Sequence, residues 1–413
     1  MNYDVARWGS QAVAQHKLPT TETTNLLSIR KENIMVAKHQ MKNRKLSVQA
    51  LEDRNMFAGN IFANLVGTTL AVSGDPFNNQ VEIEEIAPNT IEVTGLMGTT
   101  VNGAPMQVFA ASLIEDVSVR TGDGNDLVVI RNLTLSDTPD GDLKVFMSSG
   151  DDQVYLERIH TTQSIELDTG DHNDKVMALR VGTDGIWNTN SGNGHDRVGM
   201  RMVQAKDMKV DMLDGNDKLR IQVAKAANDL QVHTGTENDT VRIEQVGVGN
   251  DIQVITDKGT DRVLIRAVRA GNDVRVDTGD DADTAVLKMV HAQRDVFAGT
   301  GDGNDLLIMD RIRAQNQLGV DLHSGDDQAY IMRSKAHDVK VEAGDGHDDV
   351  YMEDVNAIQD LYAHLGSGND VFRISNSTAA NPSFDGGLDN DTIYDLPNAF
   401  DEIWASINFE VVL

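Results

Sequence analysis

The sequence predicts an all-β protein whose central part is a parallel β-solenoid of the β-roll or flattened β-helix kind, with about thirteen turns of about 22 residues each. Three observations predict this fold. A Gly-Asp-Gly-Asn-Asp signature recurs at a nearly fixed interval. Apolar residues alternate with period two on both sides of it. Aromatic residues make up only 5% of the chain, which suits a narrow aliphatic core.

The last Asp of the signature recurs as a column of thirteen residues. The signature is complete at Gly122–Asp126 and Gly301–Asp305, and neighbouring members lie about 22 residues apart except for one longer interval, between Asp126 and Asp152. That long interval contains a turn-rich insertion at residues 136–141. The column aspartates, as they are called below, are Asp126, Asp152, Asp174, Asp196, Asp217, Asp239, Asp261, Asp283, Asp305, Asp327, Asp348, Asp370 and Asp391.

Apolar pairs keep step with the column. They stand nine and seven residues before a column aspartate, as Val274 and Val276 do, and two and four residues after it, as Val263 and Ile265 do. The Gly-rich block between them is a turn, because Gly, Asn and Asp accept a positive φ. Each unit is therefore strand, tight turn, strand and second turn, and stacked units bury apolar faces that one unit cannot bury alone.

The flanking segments differ from the repeats. Residues 58–116 show strand alternation without the full signature and are predicted to form an N-terminal β cap, while residues 117–391 form the solenoid and residues 392–413 a C-terminal cap. Residues 1–57 are predicted to be a disordered or processed leader, since residues 1–54 are polar and carry nine basic and five acidic side chains.

Both ends of the chain resemble export signals. The run Leu51-Glu52-Asp53-Arg54, followed by Met56-Phe57, resembles the LEPR-type leader of exported planctomycete proteins. Such leaders lie near the start codon, whereas at least 45 residues precede this one, and one explanation of that departure is that Met41 is the natural start. The end Glu410-Val411-Val412-Leu413 resembles the C-terminal signal of type I secreted proteins and is equally compatible with a cap strand. These resemblances imply a secreted or cell-surface location.

Composition excludes several classes of function. The chain has no Cys, so disulfides, thiolate metal sites and Cys nucleophiles are excluded. Its formal net charge of −29 argues against nucleic acid as a partner, because binding to a phosphate backbone needs a dominant basic surface. No stretch of 18 apolar residues occurs, so we expect no transmembrane helix.

Stacking turns the column into a line of carboxylates. Two unit charges about 5 Å apart repel by roughly 1 kcal/mol in water and by about 3 kcal/mol at an effective dielectric of 20. Six more acids, the outer aspartates, stand three residues before a column member: Asp123, Asp171, Asp214, Asp280, Asp302 and Asp345. Ca²⁺ would relieve the repulsion, since it accepts 6–8 oxygen ligands in flexible geometry.

The signature resembles the haemolysin-type (RTX) calcium-binding repeat, Gly-Gly-x-Gly-x-Asp-x-apolar-x. The resemblance implies that Ca²⁺ lies between successive turns, held by the column aspartates, the outer aspartates and loop carbonyls. The chain departs from the family in its longer repeat, about 22 residues rather than nine, and in losing Gly at Leu213, Asp257 and Asp281. We therefore expect one incomplete row of ions, with gaps near Thr236 and Lys258. The alternative is a ladder of turn residues without metal.

A basic stripe follows the column in five consecutive units. Its outward positions carry one acid, Glu244, and the residues Lys175, Arg197, Arg201, Lys218, Arg220, Arg242, Arg262 and Arg266. These side chains form a solvated face that balances the acidic turns, or alternatively a site for an acidic extracellular polysaccharide.

No acid–base cluster interrupts the repeat, so we expect no enzymatic activity. The sequence favours an exported calcium-binding β-solenoid with a structural, surface or adhesive role. The alternative is a polysaccharide-binding or polysaccharide-modifying β-helix protein of the lyase or epimerase kind.

Overall fold

A computed structural model of the chain describes residues 59–135, 141–395, 406–409 and 411–412, all within one compact unit, Phe57–Leu413. Apart from one 3-10 turn at Ala111–Leu113, the regular structure of these residues is β-strand. The prediction of a parallel β-solenoid is confirmed, with about twelve turns at a spacing of about 22 residues. The predicted leader, the Met41 start, most of the 136–141 insertion, and Glu410 and Leu413 lie outside the described residues.

The first strands differ from the repeats because several of them pair antiparallel. β1 pairs with β2, and β3 and β6 both pair with β4, all antiparallel, while β2 and β3 continue into the parallel repeats. These strands are β1 (Asn60–Val66), β2 (Thr69–Ser73), β3 (Gln80–Ala87), β4 (Thr90–Gly95), β5 (Thr100–Val101) and β6 (Met106–Ala110).

The repeats build two parallel sheets, each adding one strand or strand pair per turn. The first sheet consists of the strands that precede the column: β7 (Asp116–Arg120), β10 (Leu143–Phe146), β12 (Ile165–Asp168), β14 (Ile186–Asn190), β16 (Asp207–Asp211), β18 (Leu230–His233), β20 (Ile252–Ile255), β22 (Val274–Asp277), β24 (Val296–Gly299), β27 (Gln317–Asp321), β30 (Asp338–Asp345), β33 (Asp360–Ser367), β35 (Asn381–Asp385) and β37 (Ser406–Ile407).

The second sheet consists of the strands that follow the column: β8 (Leu127–Arg131), β9 (Thr134–Leu135), β11 (Gln153–Thr161), β13 (Lys175–Thr183), β15 (Arg197–Ala205), β17 (Lys218–Ala226), β19 (Thr240–Val248), β21 (Arg262–Ala270), β23 (Thr284–Ala292), β25 (Leu306–Asp310), β26 (Arg313–Ala314), β28 (Gln328–Met332), β29 (Lys335–Ala336), β31 (Asp349–Glu353), β32 (Asn356–Ala357), β34 (Val371–Ser375), β36 (Thr392–Asp395) and β38 (Val411–Val412).

The core consists of aliphatic ladders that run along the solenoid. Register places each repeat directly beside the next, so that Val232 pairs with Val254 and Val254 with Val276. All three side chains are buried. Branched side chains suit this position because they pack well against the same residue type on a pleated neighbour.

A sharp bend divides each turn of the second sheet. The sixth residue after a column aspartate has a left-handed backbone in twelve turns, with φ between 48° and 57°, and none of these residues is Gly. They are Asn132, Arg158, Arg180, Met202, Val223, Gln245, Ala267, Met289, Arg311, Arg333, Asp354 and Asn376. The bend separates a longer outward face, which carries the basic stripe, from a shorter one.

Candidate metal-binding column

The column aspartates line the tight turn between the two sheets and are buried inside the solenoid. Their exposed fractions are all 3% or less. Turns are ordinarily solvated, so the burial of these turn residues is unusual. An ionised carboxylate at this position has lost its hydration and needs a compensating partner.

One carboxylate oxygen of each column aspartate is satisfied by the backbone of the preceding turn. The N–H of Asp261 donates to Oδ1 of Asp283 at 2.7 Å, and the N–H of Asp283 donates to Oδ1 of Asp305 at 2.7 Å. This ladder is continuous from Asp126 to Asp391. It explains why a residue with a short side-chain oxygen recurs at this position.

The other carboxylate oxygen, Oδ2, accepts no hydrogen bond of normal geometry in twelve column aspartates. Each of these atoms is buried, in every turn from Asp126 to Asp370 within the described residues. In seven of these turns a Thr or Ser hydroxyl five residues earlier lies close enough to lower the pKa of the carboxyl, as Thr278 does for Asp283, without making such a bond to Oδ2. A buried carboxylate that keeps one oxygen unpaired is strongly unfavourable, since removing a charge from water costs several kcal/mol. The column therefore needs a proton or a cation at Oδ2.

Asn79 occupies the column position one turn before Asp126 and shows what surrounds the second oxygen. Its N–H donates to Oδ1 of Asp126 at 2.6 Å, as in the rest of the ladder. Its amide nitrogen donates to the carbonyl oxygens of Asp75, Phe77 and Thr121, at 2.7, 2.5 and 3.2 Å. In this turn the side chain at the column position carries a group with positive character among three carbonyl oxygens, whereas the following turns have a carboxylate there.

The equivalent carbonyls continue through the repeats. A Cβ atom on Gly122 would lie 3.3 Å from the Asp75 carbonyl oxygen, and one on Gly124 would lie 2.9 Å from that of Phe77, so the two glycines of the signature stack directly on these residues. Gly122 and Gly124 both have positive φ. In later turns the approach is closer, and a Cβ on Gly215 would lie 1.6 Å from the Gly194 carbonyl oxygen. Rows of backbone carbonyls therefore accompany the column.

Burial raises the pKa of every column aspartate from Asp126 to Asp370. For Asp283 burial is the largest cause and raises the pKa to about 8; the backbone N–H of Asp261 and the Thr278 hydroxyl oppose it, and the charges of Asp261 and Asp305 add to it. The pKa is about 6 for Asp126, Asp196, Asp261, Asp305 and Asp348, about 7 for Asp239, Asp327 and Asp370, and about 8 for Asp152, Asp174, Asp217 and Asp283. At neutral pH and without cations, the column is thus partly protonated.

A row of buried hydroxyls, absent from the sequence-based prediction, stands five residues before the column. Thr256 donates to the carbonyl of Thr278 at 2.9 Å, and Thr278 to that of Thr300 at 3.2 Å. The row comprises Thr121, Thr169, Ser191, Thr234, Thr256, Thr278 and Thr300; in the other turns Met, Leu or Ala takes its place, and in the last turn Gly386 does. The sequence contains this pattern, since a Thr or Ser stands five residues before seven of the thirteen column aspartates.

The structure places the outer aspartates in a different environment from the column. All six are hydrogen-bonded or ion-paired to a neighbouring turn: Asp123 with Ser149 at 3.2 Å, Asp171 with Asn193 at 2.9 Å, Asp214 with Thr236 at 2.9 Å, Asp280 with Lys258 at 3.1 Å, Asp302 with Ser324 at 2.7 Å and Asp345 with Ser367 at 2.7 Å. The nineteen predicted metal residues therefore separate into thirteen buried column members and six outer residues with protein partners. Thr236 and Lys258, where gaps were expected, are two of those partners.

Within the described ranges, no three His, Cys, Asp or Glu side chains converge to form a metal site. A cation at the column would accordingly rest on one or two carboxylates and on backbone oxygens. Ca²⁺ accepts such a ligand set, because it binds carboxylates and carbonyls alike in flexible geometry.

The predicted basic stripe lies on the longer outward face of the second sheet, on neighbouring strands β13 to β21. Glu244 lies at its centre, 2.8 Å from Arg242 and 3.8 Å from Arg220. The Lys175 ammonium lies 2.8 Å from the Tyr155 hydroxyl. The remaining members, Arg197, Arg201, Lys218, Arg262 and Arg266, have no ion pair within the described part of the chain.

Comparison of the chain with protein-family models, with curated proteins and with solved structures finds no match. Among the residues that the structure describes, no helix has the length and apolar character needed to cross a membrane. The residues of the column itself therefore carry the functional argument.

Proposed function

We propose that this protein is an exported calcium-binding β-solenoid with a structural, surface or adhesive role, in which the column aspartates hold Ca²⁺. The observation that carries the proposal is the twelve buried Oδ2 atoms without a partner, at the position where Asn79 places an amide donor among three carbonyl oxygens. A group of positive character belongs at that position in every turn.

Calcium fits this position better than protons do. A proton on Oδ2 satisfies one neighbouring carbonyl, whereas a divalent cation attracts the carboxylate and all nearby carbonyls together. Mg²⁺ fits less well because it demands octahedral geometry and dehydrates reluctantly. The residues that would hold the ion are the column aspartates and the two left-handed residues of each signature, as Gly122 and Gly124 are in the first repeat. The outer aspartates, which already have protein partners, contribute charge without being required as ligands.

The export part of the proposal rests on the resemblances of Leu51–Arg54 and Glu410–Leu413 to secretion signals. A calcium-dependent solenoid suits an extracellular setting, since binding free energy that is available only in the folded state stabilises the fold by mass action. Mass spectrometry of the N-terminus of the native protein tests the leader, because peptides from residues 1–40 would contradict a start at Met41.

The decisive test of the calcium proposal is thermal unfolding of the full chain, followed by circular dichroism at pH 7 (roughly midway in the range of column pKa values) in chelator and with increasing Ca²⁺ or Mg²⁺. We expect the melting temperature to rise with Ca²⁺ concentration and to respond much less to Mg²⁺. Calcium counted by equilibrium dialysis measures occupancy directly. An unchanged melting temperature together with no bound calcium would overturn the proposal and leave a protonated turn ladder.

A second candidate function is binding of an acidic polysaccharide by the basic stripe. It is favoured by a shallow depression of 460 Å³ on the same face, lined by Tyr155, Met177, Arg201 and Arg220 among others. Substitution of Arg220 and Arg242 by Ser tests it. Retention on heparin resin that survives both substitutions would count against the stripe as the binding surface.

A further inference from the structure

A second concave surface lies beyond the bend of the second sheet, on its shorter outward face. This groove has a volume of 840 Å³ and is lined by strands β21, β23 and β26 and by the chain between them, including Arg269, His291, Arg311 and Arg313. The bend creates the groove, because the left-handed residues Ala267, Met289 and Arg311 turn each strand away from the longer face.

A row of basic side chains begins in the groove and continues along the solenoid. Backbone register pairs Arg269 with His291, His291 with Arg313, and Arg313 with Lys335, so that these four side chains stand on neighbouring strands about 4.8 Å apart. Arg311, from the bend, adds a further guanidinium to the same groove. The basic side chains therefore follow the solenoid axis rather than form a broad patch.

None of these cations is neutralised by the part of the protein that the structure describes. Neither Arg269, Arg311, Arg313 nor Lys335 has a side-chain hydrogen bond or ion pair there, and no Asp or Glu lines the groove. The nearby acids are bound elsewhere: Asp310 accepts from Arg333 at 2.8 Å, and Asp273 pairs with Arg294. The chain has a net charge of −29, so a groove with basic side chains and no acids has an electrostatic potential opposite in sign to that of the protein as a whole.

The groove contrasts with the basic stripe in this respect. The stripe has Glu244 between Arg220 and Arg242, so part of its charge is satisfied internally. The arginines of the groove have no acidic partner among the described residues and so remain able to pair with an external anion. It is also concave, which lets several cations act on one ligand at once.

We propose that the groove binds a linear anionic polysaccharide that lies parallel to the solenoid axis. Arg269, Arg311 and Arg313 in the groove, continued by Lys335 along the solenoid, match a polymer with regularly spaced carboxylates or sulfates on its sugar rings. Single-stranded nucleic acid fits less well, because no Phe, Tyr or Trp lines the groove to stack on bases. Exposed Met289 and half-buried Ala267 offer apolar surface for the faces of sugar rings. This site does not depend on calcium or on the basic stripe.

The test compares binding of heparin and polygalacturonate by three variants of the full chain that carry the same change in charge. The groove variant is Arg269→Gln with Arg311→Gln and Arg313→Gln. The stripe variant is Arg197→Gln with Arg201→Gln and Arg220→Gln. The control variant is Arg120→Gln with Arg275→Gln and Lys340→Gln, all on strands of the first sheet. Dextran, an uncharged polysaccharide, and single-stranded DNA serve as comparison ligands.

We expect the groove variant to bind at least about tenfold more weakly than the unmodified chain and to show a flatter dependence on salt, while the control variant changes by less than about threefold and the stripe variant loses less affinity than the groove variant. All three variants should keep the unmodified circular dichroism spectrum, since the substituted side chains are outward-facing. An equal loss of affinity in the groove and control variants would show that only the net charge of the protein matters, and this would overturn the proposal. So would a larger loss in the stripe variant, binding of dextran as tight as that of heparin, or tighter binding of single-stranded DNA.

Discussion

Replacing Asp283 by Asn distinguishes a calcium column from a protonated one, because the two alternatives predict opposite signs. Asn keeps the Oδ1 acceptor that the N–H of Asp261 uses at 2.7 Å. Its amide replaces the unpaired Oδ2 and, by analogy with Asn79, donates to the carbonyls of the turn. Without calcium the substitution therefore removes a buried charge and adds hydrogen bonds. With calcium it removes a ligand.

The magnitude follows from the raised pKa of Asp283. A rise from 3.8 to about 8 corresponds to at most about 6 kcal/mol at 1.4 kcal/mol per unit, and solvent screening and relaxation reduce it. We expect Asp283→Asn to stabilise the calcium-free protein by about 2 kcal/mol at pH 8. At roughly 2.1 cal/mol/K per residue over the folded part of the chain, this raises the melting temperature by about 3 °C.

The assay is thermal unfolding by circular dichroism at pH 8, in chelator and in saturating Ca²⁺. The matched control is Asp302→Asn, which removes the same charge from an outer aspartate bonded to Ser324 at 2.7 Å. We expect Asp283→Asn to raise the melting temperature in chelator and lower it in Ca²⁺, and the control to change little in either. A decrease of equal size for Asp283→Asn in both conditions would refute the reasoning, as would the same change of sign in the control.

Three further outcomes follow. In chelator the melting temperature should fall as pH rises from 5 to 8, because the folded state holds column protons up to a pKa of about 8 for Asp283, while the unfolded chain releases them near pH 4. Added Ca²⁺ should make the melting temperature depend less on pH. A melting temperature that rises with pH in chelator would contradict this assignment. Asn79→Asp should destabilise the calcium-free protein by about 2 kcal/mol at pH 8 and much less at pH 5, measured by the same melts, and equal losses would point to packing alone. Val223→Asn should stabilise the protein by about 1 kcal/mol, because Val223 has φ of 57° and Asn tolerates that conformation better than Val does. The control is Val223→Thr, which keeps a branched side chain. An equal gain from Thr would show that relief of backbone strain is not the cause.

The fold was predictable from the sequence because two regular patterns agree. The column spacing defines the length of a turn, and alternation at positions such as Val274 and Val276 identifies the faces that stack. The left-handed bend was not predictable in the same way. Residues as different as Arg180, Val223 and Ala267 adopt it, so its cause is the stacking of neighbouring turns rather than a local preference for positive φ.

The site was predictable in composition but not in its inner arrangement. Spacing alone identified the column residues, yet it could not separate the buried Asp283 from the partly exposed Asp280, three residues earlier, which pairs with Lys258. That separation depends on which side of the turn faces the core. The cation groove was missed for a related reason: Arg269, His291 and Arg313 become neighbours only because the bend directs a short second face outward.

Asn79 also bears on why the column contains Asp at all. The Oδ1 ladder requires an oxygen acceptor, and Asn79 supplies the rest of the geometry with its own amide, satisfied by three carbonyls. Asn in every turn would build the same ladder without burying charge, and the outer row shows that exposed acids here do acquire donors, as Asp302 does from Ser324. Yet the next twelve turns carry Asp with Oδ2 unpaired, at a cost in stability that rises as each carboxyl ionises. A ladder that only held the turns together would gain nothing from this arrangement. The proposed cation site would require it, since the negative charge that destabilises the empty column would attract the ion.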